Sequence, residues 1–218
     1  MASSTPSKRT ALQRDVLDAL FQRERGFFLT GGAALAGFHL GHRTTDDLDL
    51  FTQQQAAFER GRFVLADVAA ALGGRLDIRQ SAPGFQRTVL TRGDDGLVID
   101  LVKDVSPQLH ADKLEHDHIL IDPADEILAN QLAALVGRAE ERDLVDVMFL
   151  ERAGYSIDAA LPVALAKDGG CTPATRAWLL SEIPIPDGVE LPAGVAPGEL
   201  RAYVSALISR LLVLAAPK

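Results

Sequence analysis

Cysteine is almost absent from this chain of 218 residues, because Cys171 is the only one. A single cysteine cannot form an intramolecular disulfide, so a disulfide-stapled secreted domain is excluded. Long apolar runs are missing too, and stretches such as 211–216 are far shorter than the ~20 residues that span a bilayer. The first nine residues are not followed by the apolar core that a signal peptide needs. We therefore expect a cytoplasmic protein with no membrane role.

Positive charge is also scarce, with 22 Lys and Arg against 30 Asp and Glu and a formal net charge of -8. The remaining composition, 47% hydrophobic and 24% charged, is that of an ordinary globular protein. Net acidity usually argues against nucleic-acid partners, since phosphates are contacted mainly by Lys and Arg. Much of the acid lies in residues 111–155, however, and we interpret that stretch as a solvated surface.

Apolar periodicity and glycine positions predict an α+β protein in which a small mixed β-sheet flanked by helices precedes a helical carboxyl-terminal part. We expect a mixed α/β core over residues 1–105 and a mainly helical domain over 106–218. His110, His116 and His118 have no metal-ligand spacing and are expected in a solvated loop. Trp178 is expected in a helical core. The predicted helices cover 11–23, 33–40, 56–72 and most of the chain after 122. The predicted strands cover 27–30, 47–51, 76–78, 86–92 and 97–102.

Three features of the predicted sheet bear on chemistry: the turn Gly31-Gly32, the pair Asp47 and Asp49, and Asp100 on a hairpin strand. Each one alone is weak, because a glycine pair is usually only a turn and Asp-x-Asp is usually surface charge. Carboxylates at i and i+2 of a strand share one face, however, and a divalent metal compensates their repulsion. With a third carboxylate they can form a two-metal phosphoryl-transfer site, and glycine N–H groups can approach nucleotide phosphates.

The motifs that carry this pattern lie in two places. The first comprises residues 29–35, Leu-Thr-Gly-Gly-Ala-Ala-Leu, and 42–51, His-Arg-Thr-Thr-Asp-Asp-Leu-Asp-Leu-Phe. The second comprises 129–135, Ala-Asn-Gln-Leu-Ala-Ala-Leu, followed by Arg138 and by 142–146, Arg-Asp-Leu-Val-Asp. In order and rough spacing, these motifs resemble the two signatures of the AbiEii/AbiGii toxin family of nucleotidyltransferases.

The resemblance implies a nucleotidyltransferase fold of the DNA polymerase β type that uses an NTP with Mg²⁺ or Mn²⁺. Members are toxins of type IV toxin–antitoxin or phage-defence systems, and some transfer nucleotides to tRNA, so a cognate antitoxin and an RNA acceptor are the implied partners. Asp47, Asp49 and Asp100 would be catalytic metal ligands. The residues that would bind the nucleotide are Gly31, Gly32, Arg43, Thr45, Gln131, Arg138, Arg142, Asp143 and Asp146.

Two positions depart from the family pattern. Gln131 stands where a lysine is common, and Ala33 stands where a hydroxyl residue is common, so one cation and one side-chain phosphate contact are missing. Arg138 or Arg142 can replace the cation, although a guanidinium is not equivalent to an ammonium. Asp143 and Asp146 have a second interpretation, in which Arg142 and Asp146 form an ordinary ion pair on an exposed helix.

Two other functions remain open. A nucleotide-binding or partner-binding module that kept this fold but lost catalysis is consistent with Gln131. An enzyme that adenylylates a small molecule such as an aminoglycoside would share the glycine and Asp-x-Asp logic, although the helical half and its Arg-Asp signature argue against it.

Overall fold

The structure, a computed structural model, describes residues 8–137, 140–168 and 172–216. These residues divide into two compact units. The first, called here the sheet unit, contains the described residues up to Val105 together with His110–Pro123. The second, the helical unit, contains Ser106–Leu109 and the described residues from Ala124 onward. The assignment of residues 1–105 and 106–218 to two functional domains stays a prediction.

Seven strands of the sheet unit form one mixed sheet in the order β3-β4-β5-β2-β1-β7-β6. Strand β2 pairs parallel with β5 and antiparallel with β1, while β3, β4 and β5 form an antiparallel meander. The elements are α1 Ala11–Phe21, β1 Phe28–Thr30, α2 Gly31–Ala34 with a π-helical turn Leu35–His39, β2 Asp47–Thr52, α3 Gln55–Ala71, β3 Arg75–Ala82, β4 Phe85–Arg92, β5 Asp95–Lys103, β6 Leu114–His116 and β7 Ile119–Ile121.

Local signals explain the main elements of the sheet unit. Helix α1 begins at Thr10, whose hydroxyl accepts a hydrogen bond from the Gln13 backbone while the Gln13 side chain accepts one from the Thr10 backbone. Its apolar face is buried, and both α1 and α3 contact the same sheet. Strand β2 alternates, so that Leu48 and Leu50 are fully buried and the residues between them are partly exposed. One face of the sheet is therefore core, and the opposite face carries the acids.

The helical unit contains five α-helices and one 3₁₀ turn among its described residues. Buried ion pairs lie between its helices, and Lys167 approaches Glu126 to 2.6 Å with both side chains almost inaccessible. Such pairs satisfy charges that would otherwise be buried alone, which fixes the helix arrangement. The elements are α4 Ala124–Gly137, α5 Glu141–Arg152, α6 Ile157–Lys167, α7 Pro173–Ser181, the 3₁₀ turn Pro192–Gly194 and α8 Pro197–Ala215.

Three local expectations are wrong. The acidic stretch 111–155 is not a solvated surface throughout, because Asp122, Glu126, Asp143 and Asp146 are buried. The stretch around His110, His116 and His118 is not a simple loop, because β6 and β7 form a hairpin there and β7 pairs parallel with β1. Trp178 is not in a core, because 60% of it is exposed while Arg176, Ala177 and Leu180 form the buried side of α7. In the part of the chain that the structure describes, no helix is both long and apolar enough to cross a membrane.

Candidate functional site

The predicted carboxylates meet on the face of the sheet opposite α1 and α3. Asp47 and Asp49 lie two residues apart on β2 and project from the same side of the strand. Asp49 is paired with Asp100 in the parallel register of β2 and β5, so these two side chains are direct neighbours. Asp100 is buried, whereas the two acids of β2 are partly exposed. Asp47 and Asp49 thus share one face, and Asp100 lies on the neighbouring strand, as the sequence predicts; the functional roles of the three residues stay a prediction.

Gly31 packs directly against this acidic group. Its φ is +64°, a conformation that side-chain-bearing residues rarely adopt. A Cβ at this position would overlap the Oδ2 atom of Asp49 and would lie 3.2 Å from Asp49 Cγ. Glycine is thus required twice over, by the backbone conformation and by the close approach of the Asp49 carboxylate. The glycine turn and the carboxylates form one continuous surface.

Gly32 is covered by the loop that precedes β2. A Cβ at position 32 would overlap a terminal guanidinium nitrogen of Arg43 and would lie 3.3 Å from the Thr45 methyl group. The side chain of Gln13 donates hydrogen bonds to the Thr45 carbonyl at 2.8 Å and to its hydroxyl at 3.1 Å, both buried. Helix α1 therefore fixes the loop, and the loop holds the Arg43 cation against the glycine turn.

Arg87 is a member of the site that the sequence motifs did not reveal. It lies on β4 directly opposite Asp100 and donates two hydrogen bonds to that carboxylate, from Nε to Oδ1 at 2.8 Å and from Nη2 to Oδ2 at 2.6 Å. These hydrogen bonds raise the pKa of Arg87 above its ordinary value, and the charges of Asp49 and Asp47 add to the effect. The hairpin turn was the available signal, because counting outward from it pairs residue 87 with residue 100.

The second group of predicted residues lies in the helical unit. The Gln131 amide nitrogen of α4 donates a 3.1 Å hydrogen bond to Asp146 Oδ2 of α5, and both side chains are buried. Asp143 is buried as well. The interpretation of Asp146 as one half of an exposed helix pair is therefore wrong, since its side chain is inaccessible. The Arg142 guanidinium contacts Glu140 at 2.6 Å. Arg138 lies outside the described residues.

A family model matches residues 15–216, and its family is described as the nucleotidyl transferase AbiEii toxin of type IV toxin–antitoxin systems. The chain belongs to the AbiEii nucleotidyltransferase toxin family. The matched residues include every motif that predicted it. No curated protein matches the sequence.

Solved structures of two other bacterial proteins share the AbiEii-family fold of this chain. JHP933 from Helicobacter pylori is 18% identical, with 94% of this chain and 92% of that chain covered and a TM-score of 0.56. MenT4, a nucleotidyltransferase toxin from Mycobacterium tuberculosis, is 14% identical, with 92% and 82% covered and a TM-score of 0.60. At these identities the likeness shows the fold alone. It confirms the predicted α+β nucleotidyltransferase-type fold.

The three acids of this AbiEii family member have the type of ligand atom that a divalent cation binds. Carboxylate oxygens are the ligands that Mg²⁺ prefers, and Asp47, Asp49 and Asp100 supply them from one face of the sheet. Among the residues that the structure describes, no three His, Cys, Asp or Glu side chains are grouped closely enough to hold a metal ion. Both oxygens of Asp100 accept hydrogen bonds from Arg87. The chemistry of the three carboxylates therefore suits a divalent cation, and the side chains would have to move to bind one together.

Proposed function

We propose that this AbiEii family member transfers a nucleoside monophosphate from an NTP to a hydroxyl group of an RNA acceptor such as tRNA, with Mg²⁺ or Mn²⁺ as the cofactor. The observation that carries the proposal is the register of the sheet, which sets Asp49 beside Asp100 and presses Gly31 against Asp49. Carboxylates for a cation and a side-chain-free turn for phosphates then lie within one surface. Family membership supports the reaction class.

Each group in the sheet unit has a separate role in this proposal. Asp47, Asp49 and Asp100 would hold the cation, which when bound neutralises charge on the triphosphate and on the attacking oxygen. Gly31 adds no side chain to the turn beside Asp49, and in this proposal main-chain N–H groups of the turn would face phosphate oxygens. Arg43 brings a guanidinium to the same turn, and guanidinium groups bind phosphates with paired hydrogen bonds.

In the proposed reaction, the acceptor hydroxyl oxygen attacks the α-phosphorus of the NTP. The new bond joins that oxygen to the α-phosphorus, the bond between the α- and β-phosphates breaks, and pyrophosphate leaves. The hydroxyl proton passes to solvent. Positioning and electrostatic stabilisation account for most catalysis of this kind, so rigid placement of Asp49 is the main contribution of the fold.

For the helical unit, nucleotide binding by Arg138, Arg142, Asp143, Asp146 and Gln131 stays a prediction that follows from the family resemblance. Because Gln131 and Asp146 are buried and hydrogen-bonded to each other, we infer that this pair orients α4 and α5. Gln131 stands where the family commonly has a lysine. This difference favours a second function, that of a nucleotide-binding protein without catalysis. That protein would bind NTP and Mg²⁺ but release no pyrophosphate with any acceptor. As a type IV toxin, the enzyme would also have an antitoxin partner.

The test is transfer of label from each of four α-labelled NTPs to total RNA in the presence of Mg²⁺. We expect one or more RNA bands to be labelled by the wild-type protein and none by Asp47→Asn or Asp49→Asn. Asp77→Asn is the matched control, because Asp77 lies on β3 of the same sheet and is ion-paired with Arg75 at 2.8 Å. Transfer that survives Asp49→Asn would refute the site, and loss in Asp77→Asn would show that the effect is not specific to it.

A further inference from the structure

Arg87 and Asp100 form an ion pair in which the guanidinium is exposed and the carboxylate is buried. The Arg87 side chain is 46% exposed, whereas the Asp100 side chain is 8% exposed. The carboxylate is anchored on a central strand, and the guanidinium reaches it from β4. A competing cation at Asp100 would therefore displace the guanidinium into solvent, with no need to unpack the sheet.

The register of β3 against β4 keeps a second arginine away from this pair. Ile78 is opposite Thr88, and the next paired residue of β3 is Gln80, opposite Arg87. The irregularity leaves Arg79 out of the pairing. A regular ladder would have set Arg79 against Arg87, and like charges directly opposite each other are unfavourable. The bulge leaves Arg87 with a neutral neighbour on one side and Asp100 on the other.

The positive charge of Arg87 also interacts with the other two acids of the group. The negative charges of Asp49 and Asp47 contribute to the raised pKa of the Arg87 guanidinium, so the guanidinium and these two acids of β2 attract each other. A divalent cation bound by the same carboxylates would be repelled by that charge. Any such cation also has to share the Asp100 carboxylate with Arg87, because both oxygens already accept a hydrogen bond from it.

We propose that Arg87 is a positioning residue that occupies Asp100 when no metal is bound and competes with the divalent cation for that carboxylate. This inference rests on the proposed function of the three acids. Arg87 thereby lowers the metal affinity of the empty site and offsets part of the negative charge of the acidic group until a cation arrives. The metal affinity of the chain is accordingly set by β4 as well as by the ligands themselves.

The test measures Mn²⁺ binding to the full chain without nucleotide, by the electron paramagnetic resonance signal of the unbound ion. We expect Arg87→Gln to bind Mn²⁺ about tenfold more tightly than wild type, because one unit charge near a dication is removed in a solvent-screened site. Arg87→Lys keeps the charge and should stay near the wild-type affinity. Arg87→Met is a second neutral variant in case Arg87→Gln does not fold, and thermal unfolding of each variant checks the fold.

Arg92→Gln is the matched control. Arg92 lies on the same strand but an odd number of residues away, so it projects to the opposite face, where it pairs with Asp15 of α1 at 2.6 Å. Its removal should leave Mn²⁺ affinity unchanged. Asp49→Asn should abolish the binding, which assigns the signal to this site.

Unchanged or weaker Mn²⁺ binding by the neutral Arg87 variants would overturn the inference while leaving the proposed metal site intact. Binding by a neutral variant where wild type shows none would support it. If neither wild type nor those variants bind Mn²⁺, the metal site of the proposed function fails, and the inference fails with it.

Discussion

Replacement of Gly31 by alanine tests the contact between the glycine turn and the acidic group. The φ of +64° places an alanine in the left-handed region, which costs about 1–2 kcal/mol. For a chain of this size that cost lowers the melting temperature by about 2–8 °C. The new methyl group would also overlap Asp49 Oδ2, so the carboxylate must move. A misplacement of roughly 1 Å can reduce catalysis by about a hundredfold, and we expect a loss of that order in nucleotide transfer.

Gly73→Ala separates these two effects. Gly73 has a φ of +67°, and a Cβ there would meet nothing within 4 Å. Both variants should therefore lose similar stability in a calorimetric melt, while only Gly31→Ala should lose transfer and Mn²⁺ binding. If Gly31→Ala were as active as Gly73→Ala at a temperature where both are folded, the close approach of Asp49 would have no functional role and the reasoning would be refuted.

Three further predictions concern the sheet unit. Thr10→Ala removes the capping box of α1 and should cost about 1 kcal/mol in urea unfolding, and no change would show that the cap is dispensable. Leu50→Ala empties a fully buried position of β2 and should cost about 2–5 kcal/mol, measured by calorimetry, whereas a loss under 1 kcal/mol would argue against this core. The hydrogen bond from Arg60 lowers the pKa of Glu24 below its ordinary 4.5. Its stabilisation is therefore present above that ordinary value and disappears as pH falls through the lowered one, so the stability gap between wild type and Glu24→Gln should close in acid. A gap that persists at all pH values would contradict this assignment.

The parts of the fold that local patterns determine were predictable. Alternation along β2 predicted that Asp47 and Asp49 share a face, and glycines correctly marked the ends of several elements. Strands β6 and β7 were missed because β6 is exposed throughout and has no apolar pattern, so the hairpin that it forms with β7 had no signal in its first strand. Trp178 was wrongly placed in a core because its large apolar side chain was given more weight than the face of α7 on which it lies. The smaller Ala177 faces inward while the large indole faces out.

The grouping of Asp47, Asp49 and Asp100 could be predicted from the sequence, whereas the arginine beside them was missed. The three acids can be identified from sequence motifs, whereas Arg87 can be assigned to the site only from the pairing of β4 with β5. That pairing does follow from the hairpin, since Arg92 opposite Asp95 at the turn sets residue 87 against residue 100 five steps further along. The burial of Asp146 had no comparable signal, because the neighbours of α5 are set by helix packing and not by local sequence.

The central claim is that the acidic group of the sheet unit directs nucleotidyl transfer, and comparison of α-labelled with γ-labelled NTP tests it most directly. With Mg²⁺ and RNA, we predict that the α-label appears on the acceptor and the γ-label appears in pyrophosphate. Both signals should vanish in Asp49→Asn and persist in Asp77→Asn. Transfer of the γ-label to the acceptor, or an Asp49→Asn variant as active as wild type, would contradict the account.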